Sequence, residues 1–219
     1  NGAVTLGADI TVLNGGRLYV TDGTLVLDGA AVHLQSQGNY TLLDFAGADT
    51  YLAGTGQVLF EGDGAYNFVR PITQGAKLTI DAGIAIGGPK NGTVGDDTGN
   101  LARANTIVHK GSLVSATQGG TISLRGTSVR NEGRLEVRNG AWLTVTNLTN
   151  AASGTLAVND AASTLYLVGT TKLEDDEVIA GTGVLRVNGT LDLQGHALTF
   201  GGAFTSIDNP TVVNGRLDG

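Results

Sequence analysis

Short apolar triplets recur along this chain about every seven to nine residues, and they constrain its fold more than any other feature. In each triplet the first and third residues are apolar, whereas the middle residue varies. Because successive side chains of a strand point to opposite faces, the outer residues are predicted to face a core. The middle residues, such as Tyr19, Glu136 and Thr144, are predicted to face solvent. The series includes Leu18-Tyr19-Val20, Leu25-Val26-Leu27, Val32-His33-Leu34, Leu135-Glu136-Val137, Leu143-Thr144-Val145, Leu185-Arg186-Val187 and Leu191-Asp192-Leu193.

Turns rich in Asn, Asp and Gly separate the triplets, among them Asp28-Gly29 and Asn139-Gly140. Such residues suit sharp corners, but Asn-Gly is also typical of two-residue hairpins. An antiparallel sandwich or barrel is therefore the alternative, although its strands usually run to about five or six residues. Three-residue strands become stable when they stack in a parallel ladder. We therefore predict an all-β fold, a parallel β-helix (β-solenoid) of about nine or ten coils, with roughly 20–24 residues in each.

Length and composition limit what this chain does. Its 219 residues are predicted to form a single β-helix domain, 1–219, which is a piece of a longer exported protein. The net charge of −7 argues against nucleic acid as a partner, because phosphate contacts need clustered Lys and Arg. No apolar run approaches the ~18 residues of a membrane span, so we expect no membrane insertion of this segment. The chain has no Cys, which leaves neither disulfides nor thiolate metal sites.

Two stretches depart from the rhythm, residues 44–57 and residues 87–106. Both are predicted to be irregular loops. The second is polar and Gly-rich, and a loop of that length is often functional. It is interpreted either as an insertion at a coil corner or as a loop that contacts a ligand.

Acidic residues are dense at two places that are candidate calcium sites. Glu174, Asp175, Asp176 and Glu177 form one run, and Asp96 and Asp97 lie in the second irregular stretch. Carboxylate oxygens suit calcium, but neither an EF-hand spacing nor a GGxGxD nonapeptide is present. The alternative is a solvated acidic turn. Apart from calcium, we expect no cofactor.

One basic cluster stands out in this acidic chain, and it is a candidate binding site for anionic glycans. It consists of Arg125, Arg130, Arg134 and Arg138. Glu132 and Glu136 lie between these arginines, so a charge-balanced surface is the alternative interpretation.

Catalytic motifs are absent from the sequence, which has no GxSxG, HExxH or P-loop. Carboxylates are the only candidate catalytic groups, namely Asp22, Asp28, Glu61, Asp63 and Asp192. Acids scattered over a solvated face are the far commoner explanation for such residues. We therefore expect the protein not to be an enzyme and assign no catalytic residue.

The repeat texture resembles that of bacterial exported β-helix proteins. It is carried by KGSLVSATQGGTISLRGTSVRNEGRLEVRNGAWLTV, which spans residues 110–145, and by GTGVLRVNGTLDL, which spans residues 181–193. These segments look like the passenger domains of autotransporters and of filamentous-haemagglutinin-like, two-partner-secreted adhesins. The resemblance implies a right-handed β-helix displayed outside a Gram-negative cell. No site motif of that family matches, so no site residue is carried over.

Together these observations lead us to expect a structural and adhesive β-helix segment. Its expected partners are glycans or proteins of host or bacterial surfaces, or further copies of itself. Its expected location is extracellular or on the bacterial cell surface. The alternative is a carbohydrate-active enzyme or tailspike-like module on the same scaffold, which requires a groove holding two acids about 5–10 Å apart.

Overall fold

Strands joined by turns make up the fold over the part that the computed structural model describes, residues 2–21, 23–96, 103–202 and 206–218. Those residues contain no helix, and hence none long and apolar enough to cross a membrane. The strands are β1 (Gly2–Leu6), β2 (Ile10–Leu13), β3 (Arg17–Thr21), β4 (Gly23–Gln35), β5 (Thr41–Ala46), β6 (Asp49–Glu61), β7 (Asn67–Pro71), β8 (Lys77–Ile80), β9 (Ile84–Gly87), β10 (Gly92–Gly95), β11 (Thr106–His109), β12 (Ser112–Ser115), β13 (Thr121–Arg125), β14 (Ser128–Asn131), β15 (Arg134–Val137), β16 (Trp142–Thr146), β17 (Leu148–Asn150), β18 (Thr155–Val158), β19 (Thr164–Leu173), β20 (Glu177–Gly181), β21 (Val184–Asp192), β22 (Ala197–Phe200), β23 (Ser206–Val213) and β24 (Arg216–Asp218).

All strand pairings are parallel and join each coil to the next, so the molecule is a β-solenoid of about nine turns. Each coil contributes one strand segment to each of three faces. Face A starts with β1, face B with β2 and face C with β3. The long strands β4, β6, β19, β21 and β23 bend around a corner and serve two faces. Face C thus consists of β3, β5, β7, β10, β13, β16 and the first parts of β19, β21 and β23.

The core lies inside the coils and is built from the outer residues of the triplets. On face A, Leu25 pairs in register with Leu52, and Leu52 pairs with Ile80. These three side chains are at most 1% exposed, whereas Val26 between two core positions is half-buried. Each such burial stabilises the fold by about 1.5–3 kcal/mol. The predicted parallel β-helix and the alternation within its triplets are therefore confirmed.

Coil length varies more than the sequence repeat predicts, and it is greatest in the N-terminal half. Gly2 pairs with Gly23, but Thr24 pairs with Tyr51, so the second coil is clearly longer than the first. The prediction of an irregular loop over residues 44–57 is wrong, because β5 and β6 occupy nearly all of it. Strand β10 likewise interrupts the predicted loop at 87–106, of which residues 97–102 lie outside the described part.

A repeated Ala-Gly-Thr-Gly motif marks two corners of the coils. Gly54 has φ +88°, and a Cβ at that position would lie 2.3 Å from the carbonyl oxygen of Leu27 in the coil below. Gly181 has φ +102°, and a Cβ there would lie 2.1 Å from the carbonyl oxygen of Val158. Both the backbone conformation and the close approach of the neighbouring coil therefore require glycine.

Candidate functional site: the aromatic face

Tyrosine and tryptophan side chains concentrate on one face of the solenoid. Of the five Tyr and one Trp in the chain, all but Tyr51 lie on face C or at its edge. Tyr19, Tyr40 and Tyr66 are 47%, 51% and 44% exposed. Aromatic side chains gain free energy when they are covered, so their exposure on one face marks a surface suited to binding.

The first three coils carry a tyrosine cluster, which we define as Tyr19, Tyr40, Tyr66 and Phe68. The Tyr40 ring stacks on the Phe68 ring, with centroids 5.1 Å apart and planes 16° apart. Its centroid is also 5.4 Å from that of Tyr66. Phe68 points outward from β7 yet is only 7% exposed, because its neighbours cover it. The rings of Tyr40, Tyr66 and Phe68 therefore form a packed aromatic platform rather than isolated side chains.

A buried ion-pair network supports this platform. Asp44 points outward from β5 but is fully buried. Arg70 donates to it through Nε at 2.6 Å and through Nη2 at 3.3 Å, and Arg17 donates from the preceding coil. The two guanidinium groups also lie over rings, Arg17 over Tyr19 at 5.1 Å and Arg70 over Phe68 at 5.9 Å. Cation–π contacts and charge-assisted hydrogen bonds thus fix the side chains of the cluster.

A second aromatic group lies on the same face, nearer the C-terminus. We call Trp142, Tyr166 and Arg186 the tryptophan cluster. The Trp142 and Tyr166 rings meet edge to face, with centroids 6.5 Å apart, and Arg186 lies 5.1 Å from the Trp142 centroid. Asn188 donates through Nδ2 to the Tyr166 hydroxyl at 3.2 Å. These contacts hold the only indole of the chain in a defined orientation.

Two shallow depressions lie near the corner between faces B and C. The corner depression has a volume of about 220 Å³ and is lined by Asp63, Lys90, Asn91, Thr117 and Gln118, together with neighbouring small residues. The second depression, of about 300 Å³, lies on face B and includes Leu59, Val114 and Arg138. The residues that line the corner depression come just before strands β7, β10 and β13 of face C in sequence. The depression therefore adjoins the aromatic surface.

The predicted basic cluster is divided among faces, because the chain turns corners between its members, and only Arg134 and Arg138 meet, at Glu136. Arg125 ends β13 on face C, Arg130 lies in β14 on face A, and Arg134 begins β15 on face B. Arg138 follows β15. Arg130 donates to Glu174 at 2.8 Å and to Glu132 at 2.6 Å, and these contacts raise the pKa of Arg130.

The arginines around Glu136 correct another prediction. Glu136 was predicted to face solvent but is only 5% exposed. Arg134 Nη2 lies 2.7 Å and Arg138 Nη1 lies 3.6 Å from its carboxylate, and Asn159 donates to it at 2.7 Å. An outward position on the solenoid is therefore not always an exposed one, because side chains of adjacent coils cover it.

The acidic run at 174–177 also separates, since each side chain has its own partner. Glu174 binds Arg130, which lowers the Glu174 pKa, whereas Asp176 accepts a hydrogen bond from the Ala197 amide at 2.8 Å. Asp175 bonds within the turn, and Glu177 points into the protein. Asp96 is buried and accepts from the Arg103 amide, whereas Asp97 lies outside the described residues. Over the described ranges, no three acidic or histidine side chains are placed to share a metal ion.

The candidate catalytic carboxylates are likewise dispersed. Glu61 contacts His33 at 3.1 Å, Asp63 pairs with Lys90 at 3.1 Å, and Asp192 accepts from Asn214 at 3.0 Å. Asp28 is exposed at a corner, and Asp22 lies outside the described residues. The two-acid groove of the enzymatic alternative is not seen among these described acids.

A buried polar ladder was not predicted at all. On face A the inward column that holds Leu52 and Ile80 continues with His109, Asn131 and Asn150. His109 Nδ1 lies 3.0 Å from Asn131 Oδ1, and Asn131 donates to Asn150 at 2.7 Å. Asn150 in turn donates to Glu177 at 2.6 Å.

The ionisable ends of the ladder titrate abnormally because of burial. Burial lowers the pKa of His109, which keeps the imidazole neutral. Burial also raises the pKa of Glu177 to about 7, although hydrogen bonds from Asn150 and the Leu156 amide act in the opposite direction. The stability of the core around the ladder should therefore depend on the protonation of its ionisable ends.

The fold and surface define a class of protein, a parallel β-solenoid that displays an aromatic surface. No protein-family model matches the chain, and no curated protein or solved structure gives a significant match.

Proposed function

We propose that this chain is a structural and adhesive β-solenoid of a bacterial exported protein and that it binds ligands through face C. The observation that carries the proposal is the concentration of tyrosine and tryptophan on that face, with Tyr40 and Tyr66 about half exposed. A continuous parallel ladder supports these rings on a rigid scaffold, which keeps the entropic cost of binding low.

The proposed ligands are glycans on host or bacterial surfaces. Aromatic rings offer flat apolar surfaces against which the C–H face of a sugar packs, and neighbouring polar groups bind its hydroxyls. The tyrosine cluster supplies the rings, and the corner depression supplies Asn91, Thr117 and Gln118. The repeat texture of exported β-helix proteins is consistent with an extracellular location. Self-association remains a second mode of adhesion within this proposal.

We propose binding rather than turnover, because the candidate catalytic acids Glu61, Asp63 and Asp192 hold separate partners. Glu61 contacts the imidazole of His33, which lies between it and Asp9, and Asp63 pairs with Lys90. Asp175 and Asp176, whose side chains are exposed at one turn, are the only calcium ligands that we propose. Adding and removing calcium in the binding assay tests this role.

A glycan array with purified protein tests the proposal, and the bound sugars are also examined for cleavage products. We expect selective binding without cleavage, and a double variant Tyr40→Ser/Tyr66→Ser should lose most of it. The matched control is Tyr51→Ser, because Tyr51 is 38% exposed but lies on face A. Equal loss in the control, or no glycan binding by the parent protein, would contradict the proposal. Cleavage would favour the enzymatic alternative.

A further inference from the structure

The corner depression lies between the two aromatic clusters. Strand register places Thr41 beside Asn67, so Tyr40 and Tyr66 occupy equivalent positions in adjacent coils. Gly92 pairs with Ile122, and Thr121 pairs with Trp142. One row along the solenoid axis therefore reads Tyr40, Tyr66, Asn91, Thr121 and Trp142.

Spacing along this row suits an extended ligand. Adjacent coils lie ~4.8 Å apart, so the backbone positions of Tyr66 and Trp142, three coils apart, are separated by roughly 14 Å. The intervening positions are polar, and Asn91 Oδ1 accepts the Thr121 amide at 2.7 Å. Rings at both ends and amide or hydroxyl groups between them form one continuous track.

The charge of the corner depression limits which ligand fits. Its two charged side chains, Asp63 and Lys90, form an ion pair with Oδ1 and Nζ 3.1 Å apart. The remaining polar side chains, Asn91, Thr117 and Gln118, are uncharged. A site that neutralises its own charge complements a neutral, hydroxyl-rich chain better than a polyanion.

We propose that this row binds a linear, uncharged oligosaccharide parallel to the solenoid axis, with Tyr66 and Trp142 at the ends of the bound stretch. The inference rests on the proposed function for taking a glycan as the ligand, and it adds the charge, shape and direction of that glycan. Tyr40 extends the track by one coil. The exposed ion pair of Asp63 and Lys90 lies beside the central subsite.

The test uses cello-, malto- and chito-oligosaccharides of two to six sugar units as probes. Binding is followed by titration calorimetry and by the NMR signal of the Nε1–H group of Trp142, which is the only indole of the protein. We expect at least one series to bind. Its affinity should rise about tenfold from the disaccharide to the tetrasaccharide and then level off. The indole signal should move only with the longer chains.

Two variants separate this inference from the proposed function. Trp142→Leu should abolish the gain in affinity with chain length and leave disaccharide binding intact, whereas Tyr66→Leu should weaken both. Tyr51→Leu is the control, and amide spectra confirm that each variant is folded. Length-independent affinity, an unmoved indole signal or failure of every neutral series overturns the inference. If acidic glycans then bind at Tyr40 and Tyr66, the proposed function stands; if no glycan binds, both fail.

Discussion

Protonation of Glu177 should make the stability of this solenoid depend on pH in an unusual direction. The residue is 8% exposed, and burial raises the pKa of its carboxyl from 4.5 to about 7. Asp175 contributes a smaller shift in the same direction. Between pH 4.5 and 7 the folded chain therefore holds a proton that the unfolded chain releases. The stability contributed by this proton is complete below pH 4.5 and is lost as pH rises through about 7.

The size of the effect follows from the shift. Each pKa unit corresponds to about 1.4 kcal/mol, so the full shift would amount to roughly 3 kcal/mol. Allowing for solvent screening of the partly accessible carboxyl, we expect about 2 kcal/mol. Glu177→Gln removes the charge and keeps the side-chain volume. The variant should match the parent near pH 4.5 and exceed it by about 2 kcal/mol at pH 8.

The assay is urea unfolding between pH 4.5 and 8.5, followed by Trp142 fluorescence and by hydrogen exchange of the Leu156 amide. That amide donates to Glu177 Oε1 at 3.3 Å, so its protection from exchange reports on the structure around Glu177 itself. Comparing variant with parent cancels the contribution of His109, whose pKa is lowered in both. Parallel pH profiles for the two proteins would refute the reasoning.

Glu174→Gln is the matched control for this experiment. Glu174 lies on the surface, and its contact with Arg130 lowers its pKa. Its contribution is therefore present above pH 4.5 and is lost as the pH falls below that value, opposite to that of Glu177. The control variant should be less stable than the parent by a constant amount from pH 6 to 8, which leaves the slope of the profile there unaltered, and it should approach the parent at the acid end.

Three further predictions concern the scaffold and the site. Val137→Asp places an unpaired carboxylate in the core and should cost several kcal/mol, whereas Thr144→Asp on the outer side should cost less than about 1 kcal/mol; equal thermal shifts would contradict the assigned directions. Arg70→Met should destabilise the chain by about 3 kcal/mol in urea unfolding and weaken ligand binding, because it leaves a buried carboxylate with one cation fewer. Gly54→Ala should cost more than Gly29→Ala by about 1–2 kcal/mol, since both have positive φ but only Gly54 meets a neighbouring coil; equal melting temperatures would show that the contact relaxes.

Alternation of apolar residues was enough to predict the fold, because a strand's period of two is a local property. Leu25 and Leu27 can be assigned to the core from the sequence alone, and both are buried. Exposure of the outward residues is not local in the same way. Glu136 and Asp44 point outward yet are buried, because neighbouring coils lie only ~4.8 Å away and their long side chains reach across.

The candidate site was beyond prediction for a related reason, since it depends on coil length. The Tyr40 and Tyr66 rings meet only because the coil between them has the length that brings them into register. The assumed coil of roughly 20–24 residues would have placed other residues side by side. A separate reason made the four arginines look like one cluster: they are close in sequence, but corners distribute Arg130 and Arg134 to different faces.

Variation in coil length also explains how one chain combines a uniform core with a specialised surface. Inward columns tolerate changes in length at the corners, because any Leu, Val or Ile fills an equivalent layer of the core. Outward columns do not, since a change in length moves a whole coil's surface residues relative to the next. The long coils of the N-terminal half therefore determine which side chains meet on face C, including Tyr40 and Tyr66. Shortening the turn before β7 by two residues should leave the core intact and abolish ligand binding. Amide exchange across β5 and β7 would report the core, and loss of exchange protection there would contradict this separation of core from surface.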